Sequence, residues 1–282
     1  PIQKHRPQDY TDRPISIIKV HTDEGIYGLG ESGRGGRFDD AIEKWIGLDP
    51  MTLKWQDLGG GFGSAIFDIV GKALGIPAHK LMGAQHWEEV PVGYWSCPME
   101  PEEFAAEAEK GVKLGFKTHK LKARPWNIVE TVRLMTEAAG PDYGIIVDPN
   151  FTFETPEESI RLAHELEKYN IEAFEDPFSY EEYGWDSYRQ FRQQTNIPLA
   201  PHLYDPKKIL EAIKADAADM FNTGGGPSHA SNNAGIAEAA GMPVWLQVTG
   251  LGLGVSGAFA THVHAVIKNA TIPSDSLHFV RE

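Results

Sequence analysis

The sequence predicts an α/β protein: a small α+β segment over residues 1–89, then a closed β/α barrel over residues 90–282. Three observations carry that expectation. From Val90 onward, short apolar strand-like runs alternate with amphipathic helical stretches. Lys122, Asp148, Glu175 and His202 recur at intervals of 26, 27 and 27 residues, each closing one apolar run. A β/α repeat consumes roughly 30 residues, so each interval is one unit. Right-handed crossovers put the helices outside and leave those four side chains at the carboxyl edge of a parallel sheet. That edge is where α/β enzymes bind substrate.

Residues 14–31, PISIIKVHTDEGIYGLGE, hold two β-rich runs around the turn signal Asp23-Glu24-Gly25 and predict a hairpin. Phe38–Leu48 and Ser64–Leu74 have helical spacing of apolar residues. Strands are expected at VPVGYW, KTHKLKA, YGIIVDP, IEAFEDP, IPLAPH, ADMFN and PVWLQV. Helices are expected over Pro101–Leu114, Ile128–Ala139, Pro156–Tyr169, Trp185–Gln194, Pro206–Ala215, Ala230–Ala240 and Ser256–Lys268. Glu102, Glu157 and Glu158 fall in first turns, where the helix dipole favours negative charge. The last run, SLHFVRE, is read as an eighth strand returning toward the first segment. An open doubly wound sheet would show a glycine-rich dinucleotide turn after its first strand, and GYWSCPMEP has none.

The composition narrows the function. Of 282 residues, 26 are basic and 40 acidic, a net charge of −14. Nucleic acid and anionic membranes need a basic surface, so neither is an expected partner. No apolar run approaches the ~20 residues of a membrane span. Cys97 is the single cysteine, which excludes an intrachain disulfide and fits a reducing cytoplasm. PIQKHRPQDY has neither an initiator Met nor an apolar leader core, so the chain is expected to begin inside the natural protein.

Residues two apart on a strand share a face, which pairs Lys120 with Lys122 and Asp148 with Asn150. Neighbouring strands are about 4.8 Å apart, so carboxylates ending adjacent strands can converge on one cation. Asp148 and Glu175 are hard oxygen donors suited to Mg²⁺, with Mn²⁺ or another divalent ion as alternatives. A lysine one strand away, partly desolvated, is suited to act as a base. A cation beside such a base fits proton abstraction alpha to a carboxylate, where the metal neutralises the developing enolate. The bland readings are a solvated lysine edge, turn-forming aspartates before Pro149 and Pro177, and a structural His202. The shared register of the four residues favours the metal reading. Gly224–Gly226 reads as a loop, and His262 and His264, two apart in a predicted helix, do not face each other.

These motifs also resemble the enolase superfamily, in its mandelate racemase/muconate-lactonising branch. VHTDEGIYGLGES is similar to the hairpin of that family's capping domain, and AIFDIVGKALGIPAHKLMGA to the helix leading into its barrel. HKLKA resembles the Lys-x-Lys motif ending barrel strand two. VDPN and FEDP resemble the metal-ligand motifs of strands three and four. The resemblance implies a (β/α)7β TIM-like barrel with a small N-terminal α+β capping domain. It implies Lys122 as the proton-abstracting base, and Lys120 holding the substrate carboxylate or tuning Lys122. Asp148 and Glu175 would ligate Mg²⁺, and a small carboxylate would be the substrate. Homo-oligomers are expected by family analogy alone. A Lys or His base with Mg²⁺ and an ene-diolate is the superfamily's general pattern.

The chain also departs from that pattern. Where strand five normally supplies a third acidic ligand, IPLAPHLYDP places Pro201 and His202. His202 is then a metal ligand or an acid catalyst. Racemases of this branch carry a histidine at the end of strand seven; PVWLQVTG places Gln247 there. MFNTGGG places Asn222 or Thr223 where cycloisomerases carry a lysine. Neither amide removes a proton at neutral pH, so Asn150, Asn222 and Gln247 are read as substrate-binding. The expected activity is dehydration of an acid sugar or related hydroxy acid by one lysine base. A racemase, epimerase or cycloisomerase is the alternative, and a non-catalytic barrel with a degraded metal site is a third. RGGRFDDAIEKW and LKWQDLGGGFGS carry less loop than the family's cap.

Overall fold

The computed structural model describes residues 15–31, 43–54, 58, 60–247 and 254–275. The predicted final strand SLHFVRE, residues 38–42 of the expected helix Phe38–Leu48 and part of the cap loops lie outside the described residues; the described part of that helix is a short 3-10 turn, Glu43–Trp45. The chain divides into two compact units. One comprises Pro1–Val90, Gly224–Asn232 and Leu246–Lys268; the other comprises Pro91–Thr223, Asn233–Trp245 and Asn269–Glu282.

In the first unit, β1 (Ile17–His21) and β2 (Tyr27–Glu31) pair antiparallel around Gly25, whose φ of +79° suits the turn. Helix α1 (Gly60–Leu74) packs on β2. The approach is close because glycines meet there: a Cβ on Gly30 would lie 1.7 Å from the Gly61 carbonyl oxygen. Leu58, Ile66, Phe67 and Ile69 form the buried cluster of this unit.

The second unit carries the repeating pattern. Its strands are β3 (Val92–Ser96), β4 (Thr118–Lys122), β5 (Gly144–Asp148), β6 (Ile171–Glu175), β7 (Leu199–Ala200), β8 (Phe221–Thr223), β9 (Val244–Leu246) and β10 (Ser274–Asp275). β10, β3, β4, β5, β6 and β7 form one sheet in that order, each strand parallel to its neighbours. His202 bridges Asn222 in parallel, which carries the ladder on to β8, and β8 neighbours β9. The Ile272 N–H donates to the Val244 carbonyl at 3.4 Å, linking β9 back to the approach of β10. Strand succession therefore runs round a ring, and the fold is the predicted (β/α)7β TIM-like barrel with an α+β N-terminal part. The eighth strand lies at Ser274–Asp275, just before SLHFVRE.

In chain order between the strands come α2 (Pro101–Lys113), α3 (Ile128–Ala139), α4 (Pro156–Leu166), α5 (Tyr180–Tyr183), α6 (Trp185–Gln194), α7 (Pro206–Lys214) and α8 (Pro227–Ala239), whose first turns belong to the first unit, as does α9 (Val255–Ala265), which follows β9 in sequence. Their starts are chemically marked. Thr155 accepts from the Glu158 N–H, Asp205 accepts from the Lys207 N–H, and Glu103 reaches back to the Glu100 N–H. Pro101, Pro156 and Pro206 occupy first turns, where a missing N–H costs nothing. The predicted strand IPLAPH is only two residues long, because Pro198 and Pro201 cannot donate to a ladder. No described helix is long and apolar enough to cross a membrane.

The barrel interior is set by alternation. Ile146, Ala173, Ala200, Met220 and Trp245 form one buried cluster. Each of the first four stands two residues before Asp148, Glu175, His202 and Asn222, respectively. A period of two puts each pair on one face, so an apolar plug supports a polar layer above it.

Candidate active site

Lys120 and Lys122 both reach Asp148, as strand alternation requires. Lys120 Nζ is 3.3 Å from Asp148 Oδ2, and Lys122 forms a very short ion pair with the same oxygen. Lys120 Nζ also lies 2.6 Å from Glu175 Oε2, 3.3 Å from Asp275 Oδ2 and 5.8 Å from the Trp245 ring centre. The two lysines differ in exposure: 2% for Lys120 and 12% for Lys122. Lys120 is committed to three carboxylates, while Lys122 sits nearer the open edge.

Glu175 Oε1 accepts from Asn222 Nδ2 at 2.9 Å and lies 3.4 Å from His202 Nδ1. Asp176, with φ of +45°, turns back so that its Oδ1 accepts from the His202 N–H at 3.0 Å. The loop after β5 is similarly constrained. Asn150 and Phe151 have φ of +48° and +65°; the Asn150 N–H donates to Asp148 Oδ1 at 3.0 Å, and the Phe151 N–H to the Asp176 carbonyl at 2.7 Å. Two consecutive non-glycine residues in the left-handed region are unusual, and strain of this kind clusters at functional sites. Asn233 on α8 donates to Thr223 Oγ1 and to the Tyr204 carbonyl, tying the loop after β7 to β8. Gln247 is half-buried and directly follows β9.

Charge organises this layer. Burial alone would lower Lys120, but Asp275, Glu175 and Asp148 outweigh it and hold the ammonium well above its usual range. Burial alone would raise Glu175, but Lys120, with His202 and Lys122, holds that carboxyl well below the usual range. Asp176 moves the other way: burial and the charges of Glu175 and Asp148 push it up. Burial also pushes up Asp275 against the pull of Lys120. Asp148, Glu175, Asp176 and Asp275 are thus four buried carboxylates facing two ammoniums. That surplus of buried carboxyl oxygens over ammoniums fits a divalent cation. Among the described residues, Glu175, Asp176 and His202 are the group whose donor atoms all lie within 4.8 Å of one another. Asp148 joins Glu175 through the ammonium of Lys120.

Asp275 and Asp176 are the two members that the sequence reading did not single out for the site. Asp275 ends a two-residue strand with no apolar run to mark it. Asp176 reads as a turn former in FEDP, and only the fold shows its carboxylate meeting the next strand. A cavity of about 630 Å³ in the first unit, beside Phe67, Asp68 and His262, is lined by none of these residues.

Residues 103–281 match the family model described as enolase C-terminal domain-like. The chain belongs to the enolase superfamily. Within that superfamily it is 30% identical over 247 residues to the N-succinyl-L-Arg/Lys racemase of Bacillus cereus, across 76% of this chain and 65% of that protein. The crystal structure of that racemase covers 94% of this chain and 80% of its own, with a TM-score of 0.77 and 26% identity. The arabinonate dehydratase of Saccharolobus solfataricus is 26% identical over 301 residues, across 93% of this chain and 79% of that protein. A dipeptide epimerase from Enterococcus faecalis, crystallised with Mg and L-Leu-L-Tyr, shares the fold at a TM-score of 0.77 and 23% identity, across 93% of this chain and 81% of its own. The superfamily relatives thus include both isomerases and a lyase.

Proposed function

We propose that this chain is a metal-dependent enzyme that abstracts a proton alpha to a carboxylate, with Lys122 as base, and that it dehydrates an acid sugar or related hydroxy acid. One observation carries the reading. Lys122 is the ammonium nearer the edge of the acidic layer, while β8 offers Asn222 and Thr223, neither of which takes up a proton at neutral pH. Two-base inversion needs a second acceptor; elimination needs only one.

Asp148 and Glu175 would hold Mg²⁺ or a related ion, with His202 or Asp176 as further donor. When bound, the cation supplies charge neutralisation to the carboxylate of the substrate as the enolate forms. The other steps belong to the protein. Lys122, as the neutral amine, takes the alpha proton as the C–H electron pair moves into the enolate. The resulting ammonium returns a proton to the beta hydroxyl as the C–O bond breaks, so water leaves and an enol remains. Lys120 stays buried as a fixed positive charge that keeps Asp148, Glu175 and Asp275 together. Asn150 and Asn222 would contact substrate.

The test is solvent deuterium exchange at the alpha carbon, with divalent metal present, across sugar acids, N-acyl amino acids and dipeptides. Exchange with a sugar acid, a 2-keto product and loss of both on Lys122→Ala are expected. The relationship to an N-succinyl amino-acid racemase favours isomerisation as the second reading, in which inverted substrate appears and no water is lost. Absence of exchange across the whole panel would remove both and leave a non-catalytic barrel.

A further inference from the structure

We infer that His202 supplies a ring nitrogen to the divalent cation held by the buried carboxylates, giving the site a preference for a first-row transition ion over Mg²⁺. The inference rests on the proposed metal role of Asp148 and Glu175 and goes beyond it in naming the donor set and the ion.

Position 202 follows the barrel strand that neighbours β6, so its side chain faces the one from Glu175. His202 Nδ1 stands 3.4 Å from Glu175 Oε1. Two donors bound to one such ion at about 2.0–2.2 Å stand roughly 3.0–3.5 Å apart at angles between octahedral and tetrahedral. Asp176 completes a trio whose donor atoms lie within 4.8 Å of one another. The other ring nitrogen, Nε2, is buried and has no hydrogen-bond partner, so no bond from it to another group holds the ring away from a cation.

The ring is also fixed in place. The His202 N–H is held by Asp176, residue 202 bridges Asn222, and the Leu203 N–H donates to the Asn222 carbonyl at 2.9 Å. The Tyr204 ring packs 4.9 Å from the imidazole. Carboxylate and water donors suit Mg²⁺, whereas imidazole strengthens the binding of later first-row ions. An imidazole replacing one oxygen donor therefore moves selectivity toward those ions.

The experiment uses the full chain, stripped with a chelator and titrated calorimetrically with Mg²⁺ and Co²⁺. Co²⁺ is expected to bind at least about tenfold tighter, and His202→Glu to shrink that ratio by about tenfold. Pulsed electron paramagnetic resonance of the Mn²⁺-loaded chain is expected to show nitrogen coupling that disappears in His202→Gln and His202→Glu. His202→Glu keeps a donor in place and carries the comparison if His202→Gln does not fold. Mn²⁺ bound without nitrogen coupling, yet lost in Glu175→Gln, overturns the role of His202 and leaves the carboxylate site standing. Unchanged Mn²⁺ affinity in both Asp148→Asn and Glu175→Gln overturns the inference together with the reading beneath it.

Discussion

Lys120 Nζ lies 2.6 Å from Glu175 Oε2, with neither side chain more than 2% exposed. The same ammonium serves Asp148 and Asp275, so it is the hub of the acidic layer. Lys120→Met keeps the volume and removes the charge, leaving those carboxylates short of a partner. Breaking a buried ion pair from one side costs about 3–5 kcal/mol. Urea unfolding should show a loss of that order, with part of it regained when a divalent cation is added. A loss below about 1 kcal/mol, the worth of a surface pair, would mean that the layer is wet and not dry. The pH window has a definite sign. The Glu175 carboxyl is depressed in the folded chain, so its contribution is full above the ordinary carboxylate range and is lost as pH falls. Lys120 is elevated, so its contribution persists through neutral pH and is lost only above the ordinary lysine range. Asp176 and Asp275, pushed up by burial, act in the opposite sense to Glu175.

Lys122 separates chemistry from stability. Its ion pair with Asp148 needs a positive charge, whereas proton abstraction needs a group that can give the proton up. Lys122→Arg preserves the first and abolishes the second, because guanidinium stays charged in proteins. Alpha-carbon exchange should fall about 10²–10⁴-fold, the usual contribution of a positioned acid–base group. The unfolding free energy should stay within about 1 kcal/mol of the parent chain. Exchange surviving in Lys122→Arg would move the base to another residue.

His119 gives a titration signal outside the acidic layer. It alternates with Lys120 along β4, is fully buried, and its Nε2 lies 2.5 Å from Ser96 Oγ. Burial lowers its pKa from 6.5 to about 3. The unfolded chain therefore takes up a proton near pH 6.5 while the folded chain does not. Stability falls as pH drops through that interval, by about 1.4 kcal/mol per pH unit from this one group. In His119→Gln the acid limb of a stability–pH curve should lose one proton of slope between about pH 6.5 and 4. An unchanged slope would show that the imidazole is hydrated or already charged.

Much of this was legible in the sequence because barrels repeat. Even spacing of Lys122, Asp148, Glu175 and His202 reported the β/α unit, and the pairing of Lys122 with Asp148 follows from register alone. Helix limits were legible where capping chemistry marks them, as at Pro101, Pro156 and Pro206. Asp275 was not, because a two-residue strand has no periodicity to detect and its partner Lys120 is 155 residues away in sequence. Asp176 was visible as a residue but not as a site member. Its role depends on a positive φ that aims the carboxylate at the backbone of residue 202. The meeting of Lys120 with three acids also depends on tertiary closure of the strands.

Gly28 and Gly30 on β2 test a different constraint, the contact of that strand with α1. An added Cβ on Gly28 would lie 2.0 Å from the Ala65 carbonyl oxygen, and on Gly30 1.7 Å from that of Gly61. Neither glycine has positive φ, so the restriction is steric and falls on backbone that cannot rotate away. Overpacking a tolerant core costs about 1–3 kcal/mol; against a helix backbone the loss should reach or exceed the top of that range. Gly25→Ala is the contrast. Its φ is +79° and nothing lies within 4 Å of the added carbon, so the cost is backbone strain alone, about 1–2 kcal/mol. Thermal melting and protease cleavage within residues 60–74 should rank Gly30→Ala as clearly worse than Gly25→Ala. The reverse order would mean that α1 rides on β2 with room to move, and that its glycines serve some need other than close packing.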